Sequence, residues 1–122
     1  RPPPAGVGAI VIRVLAGGAL SGSESRHAVA APSVEPIASG PDYVADVRRG
    51  RALDALVREG HVGSVVEAAL RFPLSSPGVS TVLVGYSTLE HLELAAASMA
   101  QGPLPAAALA RLEAIWKGWA GA

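Results

Sequence analysis

Two strand-length runs of β-branched and aliphatic residues limit what this chain can fold into more than any other feature. Val7 to Val14 reads Val-Gly-Ala-Ile-Val-Ile-Arg-Val, and Ser80 to Gly85 reads Ser-Thr-Val-Leu-Val-Gly. Near-continuous apolar runs are the pattern of strands covered on both faces in a parallel sheet, unlike the strict alternation of a strand with one wet face. The residues between the runs carry helical patterns, and strands separated by helices point to parallel α/β units. The expected architecture is therefore helix-rich α/β with about two parallel strands.

The first strand, expected over 7–14, ends in the small-residue turn Leu15-Ala16-Gly17-Gly18-Ala19-Leu20-Ser21-Gly22. From Ser23 to Pro41 no period of 2 or 3.6 survives among the prolines, serines and glycines, so residues 15–42 read as one long loop. A helix is expected over 43–58, with Val44, Val47, Leu53, Leu56 and Val57 as its apolar stripe, Gly50 weakening its middle and Gly60 ending it. Ser64-Val65-Val66-Glu67 matches a capping box, in which serine and glutamate satisfy end-of-helix amides, and opens a helix over 64–74. Its expected apolar face is Val66, Ala69, Leu70 and Leu74, despite Pro73. The second strand, 80–85, is entered through Pro77-Gly78. A second capping box, Ser87-Thr88-Leu89-Glu90, starts a helix over 88–100 with Leu92 and Met99 on one face. Gly102-Pro103-Leu104-Pro105 then separates it from a last helix over 106–117 carrying Leu109, Leu112, Ile115, Trp116 and Trp119.

Composition removes several function classes. Ten basic and ten acidic side chains in 122 residues give zero formal net charge, which argues against nucleic-acid or polybasic membrane partners. Arg48, Arg49 and Arg51 are the one basic cluster, and Asp42, Asp46 and Asp54 flank it, as on a solvated helix face. The apolar fraction of 50% and mean hydropathy of +0.37 favour a folded chain, although much of that fraction is alanine, which buries little area. With no cysteine there is no disulfide framework and no thiolate metal site, and a cytoplasmic location is the default expectation. Val7 to Leu20 is too short and too broken by Arg13 and glycines to span a bilayer. Residue 1 is arginine, and the run after Pro4 is no signal peptide, so we expect a processed or partial chain.

Both strand ends offer places for a ligand. A glycine-rich turn at the carboxyl end of a parallel strand lets backbone amides approach a phosphate. Gly17-Gly18-Ala19-Leu20-Ser21-Gly22 has neither dinucleotide-fingerprint nor P-loop spacing, however, and also reads as a tight turn needing positive φ. Gly85-Tyr86-Ser87 leads into a capped helix whose amides and dipole suit an anion, while a capping serine can simply be a cap. His91, in that helix's first turn, is either part of the anion site or a surface histidine. His27, His61 and His91 show no metal-ligand spacing, the serines lack the GxSxG setting of a hydrolase, and Trp116 and Trp119 read as packing anchors.

At these motifs the chain resembles the carboxyl-terminal half of the aldo-keto reductases. Arg13-Val14-Leu15-Ala16-Gly17-Gly18-Ala19-Leu20-Ser21-Gly22 stands where the family commonly has Ser-Pro-Leu-Ala-Gly-Gly-x-Leu-Thr-Gly after its penultimate barrel strand. Val65 to Phe72 is similar to the family's Ala-Leu-Arg-Trp helix, Pro77 to Gly85 to its last strand, and Ser87 to Leu94 to the following helix. The resemblance covers about Val7 to Trp116 in order. It implies part of a (βα)8 TIM barrel, namely the last two βα units plus the C-terminal helix, as a single partial domain over 1–122. It further implies an NADP(H) cofactor, with Leu15, Ala16, Gly17 and Gly18 at the pyrophosphate and Gly85, Tyr86, Ser87 and His91 at the adenosine phosphate. NAD(H) stays open, because family members often carry lysine or arginine near the Gly85 to Ser87 segment and this chain does not.

The family's Asp, Tyr, Lys and His tetrad comes from the first half of the barrel. Here the lone lysine is Lys117 and the tyrosines are Tyr43 and Tyr86, none of which matches it, so no catalytic residue is assigned. The resemblance thus implies the carboxyl-terminal portion of an oxidoreductase that reduces a small aldehyde or carbonyl substrate, or oxidises an alcohol, once the amino-terminal half of the barrel is present. The alternative is a noncatalytic nucleotide-binding or barrel-completing module, or a purely helical interaction domain.

Overall fold

The structure, a computed structural model, describes residues 5–23, 25–31 and 41–120; the rest of the expected 15–42 loop lies outside the described residues. Two short strands, β1 (Ala9–Val11) and β2 (Val79–Val82), pair in parallel, with Ala9 opposite Val79, Ile10 opposite Thr81 and Val11 opposite Val82. The ladder is extended at each end by Ala9 N–H to Gly78 O at 3.2 Å and Leu83 N–H to Val11 O at 2.9 Å. Both strands are shorter than the 7–14 and 80–85 runs. Each has one strand partner among the described residues, and beyond Val11 the chain bends at Arg13 (φ 57°), which ends the pairing. The expectation of cover on both faces is also corrected: Ile10, Ile12 and Leu83 are 62%, 61% and 57% exposed.

The expected 43–58 helix is α1 (Tyr43–Gly50), a 3-10 turn (Arg51–Leu53) and α2 (Asp54–Arg58). Asp42 caps it, accepting Ala45 N–H at 2.8 Å, and beyond α2 His61 N–H returns to Leu56 O at 2.9 Å. Gly50 has a positive role: a Cβ there would lie 3.2 Å from Leu20 Cδ2 and 3.5 Å from Ala19 O, so its absence lets α1 seat on the turn after β1. Val47, Leu53 and Leu56 are buried, while Val44 is exposed.

The 64–74 helix is α3 (Val65–Arg71) followed by a 3-10 turn (Pro73–Ser75), because Pro73 cannot donate to the preceding turn. Its buried side is Glu67, Ala68, Leu70 and Arg71, in place of the expected Val66, Ala69, Leu70 and Leu74. α4 (Leu89–Ala100) turns Ala95 and Ser98 inward against α3, leaving Leu92 exposed and Met99 half-buried; small side chains line the close contact. α5 (Ala106–Ala120) outruns the expected 106–117.

The core is helical. Leu53, Leu56, Val62, Ala68, Leu104, Ala108 and Leu112 bury one another, with Trp119 packed at the margin. Trp116 stands at the edge, its ring meeting Phe72 edge-on at 5.4 Å. A buried polar knot ties α3 to the α4–α5 connection. Ser64 Oγ accepts Glu67 N–H at 3.0 Å, while the Glu67 carboxylate accepts Gly63 N–H at 2.9 Å and the Arg71 guanidinium at 2.6 Å. Arg71 also donates to Gly102 O at 2.9 Å, Pro103 O at 2.8 Å and Gln101 Oε1 at 3.2 Å. Among the described residues no buried side-chain nitrogen or oxygen lacks a partner.

Candidate functional site

Parallel pairing of β1 with β2 sends both strands out of the sheet on one edge. The segments that follow them, Leu15 to Gly18 and Gly85 to Ser87, therefore start side by side.

Leu15 to Gly18 form the start of a tight turn that is 3-10 over Ala16–Ser21. Ala16, Gly17 and Gly18 all take positive φ, at 51°, 66° and 104°, a conformation that costs alanine more than glycine. Ala16 N–H donates to Arg13 O, and Gly18 N–H and Leu20 N–H to Leu15 O, so these three amides are spent on closing the turn. What the turn offers outward is a surface with little Cβ cover. It is held from the far side: Arg26 donates through Nη1 to Gly17 O and through Nε to Ala31 O, and its guanidinium lies 5.5 Å from the centre of the Tyr43 ring. Tyr43 in turn donates its hydroxyl to Ser23 O at 2.9 Å.

At the other strand end Gly85 and Tyr86 are exposed and Ser87 is half-buried. A Cβ at Gly85 would meet nothing within 4 Å, so the segment is open to approach. The cap of α4 is Thr88, not Ser87 as the sequence pattern reads: Thr88 Oγ1 accepts His91 N–H at 3.2 Å, one residue later in register than the expected box. That leaves the Ser87 hydroxyl available at the helix entrance. Ser87 N–H donates to His91 Nδ1 at 3.3 Å, which folds the imidazole back over the start of α4.

The two ends meet through a residue the motifs did not single out. His27, in the loop beyond the glycine turn, contacts His91 edge-on with ring centres 6.3 Å apart. No spacing rule could have found this pair, since the two lie in different loops and His27 sits in a segment without periodicity.

The donor set suits the phosphates of a dinucleotide. It combines a glycine surface, a hydroxyl at the N-terminus of a twelve-residue helix and two imidazoles, all at one sheet edge. A cleft of about 540 Å³ lies nearby, between the turn's end at Ser21 and Gly22, α2 and the start of α3; none of the eight expected cofactor residues lines it.

A family model for the aldo/keto reductases matches residues 4–117. The chain belongs to the aldo/keto reductase family. Members of this family are oxidoreductases built on TIM barrels and typically use a nicotinamide cofactor and a carbonyl substrate. No curated protein and no solved structure matches the chain. Within this aldo/keto reductase chain Lys117 pairs with Glu113 at 2.9 Å on α5 and Tyr43 is engaged at the turn. Among the described residues no group of three or more metal-ligating side chains comes together, and no helix is long and apolar enough to cross a membrane.

Proposed function

We propose that this chain is the carboxyl-terminal portion of an aldo/keto reductase barrel and supplies part of the cofactor groove of an enzyme that reduces small aldehydes or ketones with NADP(H). One observation carries the reading: the parallel β1–β2 ladder, closed by Leu83 N–H on Val11 O, brings the Leu15–Gly18 turn and the Gly85–Ser87 segment to one sheet edge. Ligands of parallel sheets bind at the carboxyl ends of the strands.

In this reading Leu15, Ala16, Gly17 and Gly18 lie along the pyrophosphate, where the glycines permit close approach. Gly85, Tyr86, Ser87 and His91 lie at the adenosine phosphate, with the Ser87 hydroxyl and the α4 dipole favouring negative charge. Bound there, the nicotinamide cofactor supplies a hydride to the carbonyl carbon. The chain's own residues bind and orient; proton donation to the carbonyl oxygen belongs to the remaining part of the barrel, which also covers the exposed faces of Ile10, Ile12 and Leu83.

The test is a fluorescence titration with NADPH, and a parallel one with NADH, of the chain alone and of the chain mixed with a polypeptide carrying the remaining βα units. Tight binding and aldehyde-dependent NADPH consumption are expected for the mixture only. Steady turnover by the chain alone, or no gain in binding on mixing, overturns the reading; micromolar binding by the chain alone makes it a nucleotide-binding module instead.

A further inference from the structure

The His27–His91 pair is unexplained by packing, since both side chains are exposed. Each ring is nonetheless fixed by the backbone. His27 Nδ1 accepts Val29 N–H at 3.2 Å, and His91 Nδ1 accepts Ser87 N–H at 3.3 Å. A nitrogen that accepts carries no proton, so in the neutral form both imidazoles keep theirs on Nε2. Two Nε2–H donors are thereby held close together, one from each strand-end loop, with the rings 6.3 Å apart at an interplanar angle of 77°.

Their surroundings favour an anion. His91 lies in the first turn of α4, where the helix dipole is positive. His27 follows Arg26, whose guanidinium is anchored on Gly17 O beside the same turn. Glu90 and Glu93 share α4 with His91 but sit about 100° and about 200° around the helix from it, on other faces. Gly85 to Ser87 contain no lysine or arginine to neutralise a phosphate monoester.

We propose that His27 and His91 together form the recognition site for the adenosine 2′-phosphate, the group that separates NADP(H) from NAD(H). This rests on the cofactor reading above and adds to it a residue, His27, and a source of specificity. A phosphate monoester accepts from both Nε2–H groups and raises the proton affinity of the rings, which converts two neutral donors into charge-assisted ones. Adenosine 5′-monophosphate lacks the group and gains nothing from the pair.

The experiment follows the imidazole carbon-bound proton signals of the 122-residue chain by NMR during titration with adenosine 2′,5′-bisphosphate and, separately, adenosine 5′-monophosphate. NMR reads the weak binding that a partial groove provides. His61, which pairs with Glu59 away from the site, is the internal control. We expect the bisphosphate to move the His27 and His91 signals and leave His61 in place. His27→Ala and His27→Gln are expected to weaken the bisphosphate about tenfold while changing the monophosphate less than about twofold. An unchanged far-UV spectrum and His61 signal in each variant shows that it is folded. If both nucleotides bind with equal affinity, or only the His91 signal moves, the pair is not the 2′-phosphate site and the cofactor reading stands. If neither nucleotide moves either signal, the inference falls together with the adenosine part of that reading.

Discussion

The helices and the sheet of this chain are finished to different degrees. α2, α3 and α5 close a core in which Leu56, Leu70 and Ala108 are fully buried, and the Glu67–Arg71 knot leaves no buried side-chain polar atom there unpaired. β1 and β2, with the more apolar sequence, leave Ile10, Ile12 and Leu83 more than half exposed. Apolar content alone therefore does not decide which part is self-sufficient. The helices meet each other within this stretch of sequence, whereas strands of this composition are satisfied only by neighbours on both faces and both edges.

The largest expected effect tests the finished side. Arg71→Ala removes the donors to Gly102 O, Pro103 O and Gln101 and leaves the Glu67 carboxylate, 10% exposed, without its cation. Breaking a buried pair from one side costs about 3–5 kcal/mol, to be read from urea unfolding followed by far-UV circular dichroism. A loss below about 1 kcal/mol would mean that the knot behaves as a surface pair. Next comes a direct contrast between the regions. Leu70→Ala, at a fully buried site, should cost about 2–5 kcal/mol. Ile10→Ala, on the open sheet, should cost less than about 1 kcal/mol. Equal losses would break the comparison, because they would require Ile10 to be covered in solution. The turn that joins the regions lies between these extremes. Gly18→Ala forces a side chain into φ 104° and sets its Cβ 3.4 Å from Tyr43 Oη, at about 1–3 kcal/mol.

The same contrast explains what could be read from the sequence. Helix existence and the Ser64 cap follow from local rules, since a cap and its amide lie three residues apart. The second cap fell one residue off because Ser87 and Thr88 both satisfy the pattern, and only the backbone decides which is extended; Thr88 is, at φ −137° and ψ 162°. α3's buried side was misjudged for a different reason. Periodicity assigns Glu67 and Arg71 to solvent, yet carbonyls about thirty residues away on the α4–α5 connection make burying Arg71 favourable. Strand lengths were overestimated because residue composition records the cover a strand needs and not the cover it has. At the candidate site, the two strand ends were visible as glycine turn and capped helix, but His27 was not. Its meeting with His91 depends on parallel pairing and on the fold of an aperiodic loop.

The smallest expected effect asks whether charge pairs in the helical layer differ by burial alone. Glu59, just after α2, accepts both short contacts from Arg111 Nε on α5, at 3.0 and 2.9 Å, with His61 Nε2 at 3.6 Å. The Arg111 hydrogen bond, opposed by some desolvation and aided by the charges of Arg111 and His61, holds the Glu59 carboxyl below its ordinary value. A group whose pKa falls on folding stabilises the folded state above its unfolded pKa, and that contribution disappears as the pH drops through the folded one. Arg111→Ala should therefore lower the urea midpoint slightly at neutral pH. The difference from the parent chain should vanish once the solution is acid enough to protonate Glu59 in both. Both partners are well exposed, so the same deficit should also shrink in high salt, whereas the Arg71→Ala deficit should persist there, since a buried pair is poorly screened. If the Arg111→Ala deficit survives both acid and salt, the side chain contributes through packing of its aliphatic stem between α2 and α5, and burial is not what separates the two arginines.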